Sequence, residues 1–327
     1  MPPAPPGARA WPRRSLGTVV SMDSSVTVVG AGIAGAACAR ELGRLGVPSH
    51  VVDRGRAPGG RLASPMVHGR RVDLGAGYFT VRDTGFDEVV SGWAAAGLAR
   101  PWTDTFDVLS PDAESRRSSG PVRWATPDGL RSLVRALLAD VTVELEHEVT
   151  ALPDGPVVLA MPDAQASLLL AAGHTGHTVV DGIDWLDATP VIAVACGFGE
   201  RSWSFDAAFV NDDDDLTFIA DDGSRRGDGA PVLVAHTTPD LARRHLEAPD
   251  TVVPHVSAAL ERLLGTGPPE WTHPHRWTFA KSASAHPATH PWDGRLGLAG
   301  DQWCPEGPPR VESAWRSGVE LARAIAG

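Results

Sequence analysis

Three glycines and one acid carry the clearest chemistry in this chain. Gly30, Gly32 and Gly35 form a G-x-G-x-x-G directly after the β-branched run Val26, Thr27, Val28 and Val29, and at the head of an Ala-rich stretch over residues 31–46. In that spacing Gly30 allows a tight turn out of a strand, Gly32 lets the backbone approach a diphosphate, and Gly35 lets the next helix pack closely on the strand. The helix N-terminus then offers free N–H groups and its positive end to the phosphates. His50, Val51 and Val52 make a second strand, and Asp53 stands at its end, where a carboxylate accepts hydrogen bonds from ribose hydroxyls. Strand, turn, helix, strand and acid in this order predict a dinucleotide-binding βαβ unit, with Ile33, Ala34 and Arg54 as neighbouring cofactor contacts. Nucleophilic and metal chemistry have no comparable signal. There is no Ser-His-Asp or metal-ligand spacing, and the nearest metal-like pair, His273 and His275, lacks a nearby carboxylate or cysteine.

These residues need elements to position them. The pattern predicts an amphipathic helix over residues 86–98, then a polar surface loop over 111–120 that includes Arg116 and Arg117. Thr126 is placed as the N-cap, and Pro127 as the first residue, of a helix running to about residue 139. Strands follow over 141–149, and a buried-type strand over 157–160 ends at Met161 and Pro162, before a helix to about residue 172. From 189 to 279 the texture changes to strands at 191–196, 207–210, 216–220, 232–236 and 277–279, with helical segments at 239–246 and 251–264. The expected fold class is therefore α/β: a Rossmann-like unit with an inserted antiparallel-sheet α+β unit. The expected cofactor unit is discontinuous, residues 22–85, 127–172 and 286–327, and the substrate unit takes residues 86–126 and 173–285.

Composition excludes several classes. A chain of 327 residues with 43% apolar and 21% charged residues has ample core for two units, and no run nears the ~18 apolar residues of a membrane span. A net charge of −11 argues against nucleic acid as a partner. The acidic run at residues 211–215, and Asp221 with Asp222, are expected to be solvated turns between strands, since no spaced glycine and closing Glu make a calcium loop. Cys38, Cys196 and Cys304 are isolated, which points to a reducing compartment, the cytoplasm, and to no disulfide framework. Residues 1–21 are Pro- and Arg-rich without an apolar signal core and are expected to be a disordered extension or a start-site misassignment.

A second motif narrows the dinucleotide. Pro58, Gly59, Gly60, Arg61 and Leu62 follow Asp53 closely, and by them the chain resembles the glutathione-reductase-like superfamily of flavoproteins, in which such a Gly-Gly-Arg lies against the FAD pyrophosphate. The resemblance continues at Asp73, Gly75, Ala76, Gly77, Tyr78 and Phe79, similar to the segment under the isoalloxazine in amine-oxidase-like flavoproteins. It continues again at Gly300 and Asp301, whose counterpart carboxylate meets the ribityl chain or phosphates, and at Arg310, Val311 and Glu312, at the head of a last helix facing the flavin pyrimidine. Val149 corresponds to a residue that presents its backbone to the adenine. Within the superfamily the chain is most similar to the renalase family. Gly59 to Leu62, Asp73 to Asp83, His275 to Ala280, Gly300 with Asp301, and Arg310 to Trp315 keep that family's order from about residue 26 to the end. Gly77 departs from the glutamine often found there, and residues 302–306 have no clear counterpart.

The resemblance implies non-covalent FAD; Cys304 lies late for the covalent attachment known among such oxidases. It implies candidate catalytic roles for Tyr78, the only tyrosine, as an aromatic wall, and for Lys281, the only lysine, near the flavin in assistance of the reaction with oxygen; each has a purely structural alternative. Arg276 is the candidate for an anion or amide contact, and Trp277, Trp303 and Trp315 are candidate pocket walls or core. The implied function is an FAD-dependent oxidase taking a hydride at flavin N5 from a dihydronicotinamide dinucleotide reduced at the wrong ring position, with molecular oxygen returning hydrogen peroxide. The alternatives are an amine oxidase or biosynthetic desaturase of the same fold, and a non-catalytic dinucleotide-binding sensor.

Overall fold

The computed structural model describes residues 25–172, 178–181 and 183–327; residues 1–21 lie outside that set, as does the expected unit boundary at 173. Along the chain the strands are β1 (Val26–Val29), β2 (Ser49–Val52), β3 (Met66–Val67), β4 (Arg70–Arg71), β5 (Arg100–Ser110), β6 (Ala113–Ala125), β7 (Thr142–Glu144), β8 (Val157–Leu159), β9 (Ala188–Gly197), β10 (Ala207–Val210), β11 (Leu216–Asp221), β12 (Val232–Thr237), β13 (Trp271–Ser282) and β14 (Leu296–Leu298). The helices are α1 (Ile33–Arg44), α2 (Thr84–Ala95), α3 (Arg131–Leu137), α4 (Asp163–Ala172), α5 (Asp222–Arg226), α6 (Pro239–His245), α7 (Val253–Leu264) and α8 (Val311–Ala326).

The first layer is a five-stranded parallel sheet in the order β14-β8-β1-β2-β7, in which the Val- and Leu-rich strands β14, β8 and β1 are buried on both faces, as parallel strands require, while β7 at the edge is largely exposed. On one face α1, α2, α3 and α8 share a core that includes Val28, Ala34, Phe86, Trp93, Leu133 and Val319; on the other α4 packs with Leu159, Leu170 and Trp303. Helices α1 and α8 approach closely because Gly318 has no side chain. A Cβ there would stand 2.1 Å from the Ala34 carbonyl oxygen.

The second layer is a seven-stranded sheet in the order β13-β9-β12-β11-β10-β5-β6. Most pairs are antiparallel, as expected, but β10 runs parallel to β5, so the sheet is mixed. Helices α6 and α7 cover one face through Leu241, Val256 and Leu260, and the other face meets residues 67–78 of the first layer through Ala193, Val234 and Phe218.

Four expectations change. Residues 113–120 are not a loop but half of β6, an exposed edge strand whose polar side chains hide any alternation. The helix expected from Thr126 begins only at Arg131, because Gly129 at φ +86° and the side chains of Asp73 and Ser64 set its start. Strand β7 stops at Glu144, leaving residues 145–149 irregular. Asp221 and Asp222 are fully buried rather than solvated, because arginines surround them. In addition α2, which the sequence reading assigns to the substrate unit, packs in the core of the first layer.

Candidate cofactor and substrate site

The glycine turn has the geometry that its spacing predicts. Gly30 has φ +113°, open only to glycine at low cost, and a Cβ on it would stand 2.5 Å from the Ala160 carbonyl oxygen. A Cβ on Gly35 would stand 2.0 Å from the Gly30 carbonyl oxygen, so helix and turn are in backbone contact. At Gly32 a Cβ would meet nothing within 4 Å, and this is the open side of the loop at the N-cap of α1. Ile33 and Ala34 fill the first turn of α1 and are buried. Asp53 accepts hydrogen bonds from Ala31 N and Gly55 N, both at 2.6 Å, and so ties the glycine turn to the end of β2. Arg54 beside it is exposed, and Val149 is half-buried against the core that holds Val29 and Val52.

The Gly-Gly-Arg segment continues this surface. Gly59 N donates to the Ala31 carbonyl at 2.8 Å, and Gly60 sits so close that its Cβ would be 3.3 Å from Gly32 Cα. Arg61 turns to Asp301 in a bidentate pair, Nη2 to Oδ1 at 2.5 Å and Nη1 to Oδ2 at 3.1 Å, and Nη1 also reaches the Ala280 carbonyl at 3.3 Å. Two residues 240 positions apart thus meet. Gly75 lies directly on Arg61, where a Cβ would be 1.9 Å from the Arg61 carbonyl oxygen, and Ala76 N donates to that oxygen at 2.9 Å. Gly300 N donates to Ser317 Oγ at 3.1 Å, and Ser313 Oγ donates to the Asp301 carbonyl at 3.1 Å, which sets the loop on the head of α8. Arg310 and Val311 form that head, and Glu312 accepts from Arg82 N at 2.5 Å and Asp83 N at 2.7 Å.

The open cradle at Gly32, bare helix N-terminus, Asp53 and the Arg61–Asp301 pair lie along one continuous surface of the kind an extended dinucleotide needs, and the residues present fit FAD. Replacing Asp53 by Ala is expected to weaken FAD by about 1.5–3 kcal/mol, the value of hydrogen bonds to a charged group. Titration of the apoprotein with FAD checks this; equal affinity in a folded variant would mean that Asp53 serves only the turn.

Beyond Gly77 the surface becomes aromatic. Tyr78 packs edge-on to Phe106 with ring centroids 5.2 Å apart and tilted to Phe218 at 6.2 Å. Phe218 also fills the space beside Gly77. His236, paired across the ladder with Phe218, faces the same side at 5.5 Å; burial first, then Lys281 and Arg225, push its pKa down to about 3, so it is neutral. Lys281 lies on this side too, open to the space yet crowded enough that desolvation lowers its pKa. Trp277 joins the wall near Gly75 and donates to the Leu74 carbonyl at 2.7 Å.

Arg276 is not brought here. It pairs with Ile192, points to the helix-covered face, is exposed, and donates to the Leu246 carbonyl at 2.8 Å. Neither Trp303, stacked on His286 at 3.8 Å, nor Trp315, packed on Phe86 at 5.3 Å, walls the pocket; both are core. Sequence reasoning missed a buried ionic cluster behind the site. Arg225 donates to the Gly77 carbonyl at 3.2 Å, the Asp73 carbonyl at 3.3 Å and the Asp222 carboxylate at 2.8 Å. Arg226 pairs with Asp73 and Asp222; burial lowers its pKa, but the two carboxylates outweigh burial and raise it. No local pattern marks such a cluster.

Cys304 is buried with its thiol on the Glu306 carbonyl, and burial pushes the Cys38 and Cys196 thiols up to about 12. Among the described residues no group of three or more His, Cys, Asp or Glu is placed to hold a metal, and no helix is long and apolar enough to cross a membrane.

Comparison with known proteins agrees with this geometry. The NAD(P)-binding Rossmann-like domain family matches residues 28–96, and the flavin containing amine oxidoreductase family matches residues 140–326, more than half of the chain. The chain belongs to the flavin containing amine oxidoreductases. A member of this family is an FAD-dependent oxidoreductase, so the non-catalytic alternative gives way. A hydroxyneurosporene desaturase of Rubrivivax gelatinosus is 44% identical over 72 residues, a match spanning 22% of this chain and 13% of the desaturase. Two solved structures share the fold: a protein of Exiguobacterium sp. 255-15 assigned as a protoporphyrinogen oxidase and the cyclohexylamine oxidase of Brevibacterium oxydans IH-35A. The first has a TM-score of 0.72 at 15% identity, covering 94% of this chain and 99% of its own; the second has 0.70 at 14%, covering 92% and 98%.

Proposed function

We propose that this family member is a renalase-like oxidase of a dihydronicotinamide dinucleotide reduced at the 2- or 6-position, the residues of the Gly30–Asp53, Arg61 and Asp301 surface holding its FAD. The observation that carries this reading is the charge on the substrate side. Asp73 and Asp222 are taken up by Arg70, Arg225 and Arg226, whereas Lys281 and Arg123 have no carboxylate partner among the described residues. Such a face repels an alkylammonium ion and suits a neutral dihydropyridine that carries phosphates. The imidazoles of His236 and of His275, the latter beside Trp277, face it; burial above all lowers the pKa of both, so neither is a strong base for an amine. A dihydronicotinamide needs none because its ring nitrogen already pushes the hydride out. FAD held by these residues would supply a two-electron acceptor, with molecular oxygen as the oxidant that takes up two electrons and two protons to become hydrogen peroxide. The protein residues orient the ring: Tyr78, Phe218 and Trp277 offer flat apolar walls, and Arg225 fixes the Gly77 carbonyl beneath them.

A second reading, an amine oxidase or biosynthetic desaturase, is favoured by the aromatic cluster of Tyr78, Phe106 and Phe218, which suits an uncharged amine or a hydrocarbon. Anaerobic stopped-flow separates the two. Under the first reading 2- or 6-dihydro NAD should bleach the flavin roughly 100-fold faster than ordinary 4-dihydro NADH, a barrier difference of about 2.7 kcal/mol. Replacing Tyr78 should slow this bleaching more than it lowers FAD content. Rapid bleaching by a primary or secondary amine, with none by any dihydronicotinamide isomer, would establish the second.

A further inference from the structure

We infer that Arg123 is an anion-binding residue of the substrate site, built to take a phosphate of the dinucleotide donor. Arg123 is buried on β6, and its neighbour Trp124 is joined to Phe79 by two backbone hydrogen bonds, which brings it alongside Tyr78. Its guanidinium carbon stands over the Phe106 ring, 3.9 Å from the ring centroid, and 5.7 Å from that of Tyr78.

What distinguishes it from the other buried arginines is its missing counter-ion. Arg225 and Arg226 share Asp222, and Arg226 also has Asp73. Among the described residues Arg123 has one hydrogen bond, from Nη1 to the backbone carbonyl of Asp104 at 2.6 Å, while the Asp104 carboxylate turns to the Thr105 hydroxyl at 2.8 Å. Its Nε is buried and bonded to nothing. A buried cation is costly unless an anion compensates it, and contact with an aromatic face returns only part of that cost. Nη2 is left uncovered by a glycine. A Cβ on exposed Gly120 would stand 3.2 Å from Nη2, so the absent side chain opens that nitrogen at the edge of the sheet. A donor whose nicotinamide lies by Tyr78 extends its phosphates outward, and the open guanidinium edge meets them there with charge-assisted hydrogen bonds.

This assignment rests on the dinucleotide reading, and the experiment separates the two. Holoenzyme of wild type, Arg123→Gln, Arg123→Lys and Gly120→Val is titrated with inorganic diphosphate, read by tryptophan fluorescence and flavin absorbance. It is also reduced anaerobically by 6-dihydro NAD and by uncharged N-methyl 6-dihydronicotinamide. Saturable diphosphate binding is expected in wild type and Arg123→Lys and weakened roughly 30-fold in Arg123→Gln and Gly120→Val, with the same loss of apparent affinity for 6-dihydro NAD and under about threefold change for the uncharged donor. Gly120→Val keeps the arginine and its stacking, so it reports the opening even where Arg123→Gln folds poorly. Equal diphosphate binding in all four proteins, or none in wild type, overturns the anion site. Arg123-dependent diphosphate binding with no reduction by either donor keeps the anion site and removes the dinucleotide reading.

Discussion

Replacing Asp222 by Ala is expected to destabilise the protein by about 3–5 kcal/mol, the cost of removing one partner from a buried ionic cluster. Asp222 is fully buried and takes Arg225 Nη2 at 2.8 Å, Arg70 Nη2 at 2.9 Å and Arg226 Nη2 at 3.3 Å. Without it Arg225 loses its carboxylate partner, Arg70 keeps only the half-exposed Asp228 at 3.4 Å, and Arg226 keeps Asp73, already engaged by the Ser64 hydroxyl at 2.5 Å and Leu130 N at 2.9 Å. The exposed pair Arg243–Asp240 is the control, where loss of the acid should cost under about 1 kcal/mol because water screens both charges. Urea unfolding of the two apoproteins measures the difference, and a loss below about 1 kcal/mol for Asp222→Ala would mean that water already compensates the cluster. The effect reaches function through Arg225. Released from Asp222, it no longer holds the Gly77 carbonyl in place, so the flavin absorption bands of the reconstituted variant should shift as well.

The parts of the site legible in the sequence are those whose cause is local. The turn from Gly30 to Gly35 could be read because strand, glycines, helix and Asp53 lie within one βαβ unit, and each glycine answers to a backbone contact inside it. The head of α3 could not, because its N–H groups are satisfied by Ser64 and Asp73, 67 and 57 residues away, whereas Thr126 offered a local cap that the chain does not use. Arg276 was misplaced for a related reason. Residues 273–277 carry large side chains on both faces of β13, so no alternation distinguishes them, and only the pairing of Arg276 with Ile192 decides which face it takes. Asp221 and Asp222 look like a solvated charge run until Arg70, Arg201, Arg225 and Arg226 are folded around them. Arg123 and His236 carried no signal at all, since their significance is a missing partner and a shared sheet face, and neither exists before β5, β6, β11 and β12 are assembled.

The glycine turn allows folding and cofactor binding to be separated by two substitutions three residues apart. Gly35→Ala should damage both, because its Cβ would stand 2.0 Å from the Gly30 carbonyl oxygen and 3.1 Å from Ala160 Cβ, leaving no room without moving α1 off β1. Overpacking of this kind costs about 1–3 kcal/mol in the apoprotein, and displacement of the turn removes FAD binding as well. Gly32→Ala should behave differently. Gly32 has φ −76° and ψ −178°, ordinary extended backbone, and its Cβ would meet nothing within 4 Å, so the apoprotein should keep its stability to within about 0.5 kcal/mol. The added methyl would instead occupy the space through which a diphosphate approaches the N–H groups at the head of α1, lowering FAD affinity about 10- to 100-fold, or about 1.4–2.8 kcal/mol. Paired measurements of urea midpoint and FAD dissociation constant test this. Wild-type FAD affinity in Gly32→Ala would mean that the diphosphate does not lie against Gly32, and an unfolded Gly32→Ala apoprotein would mean that the open side of the turn is needed for folding itself.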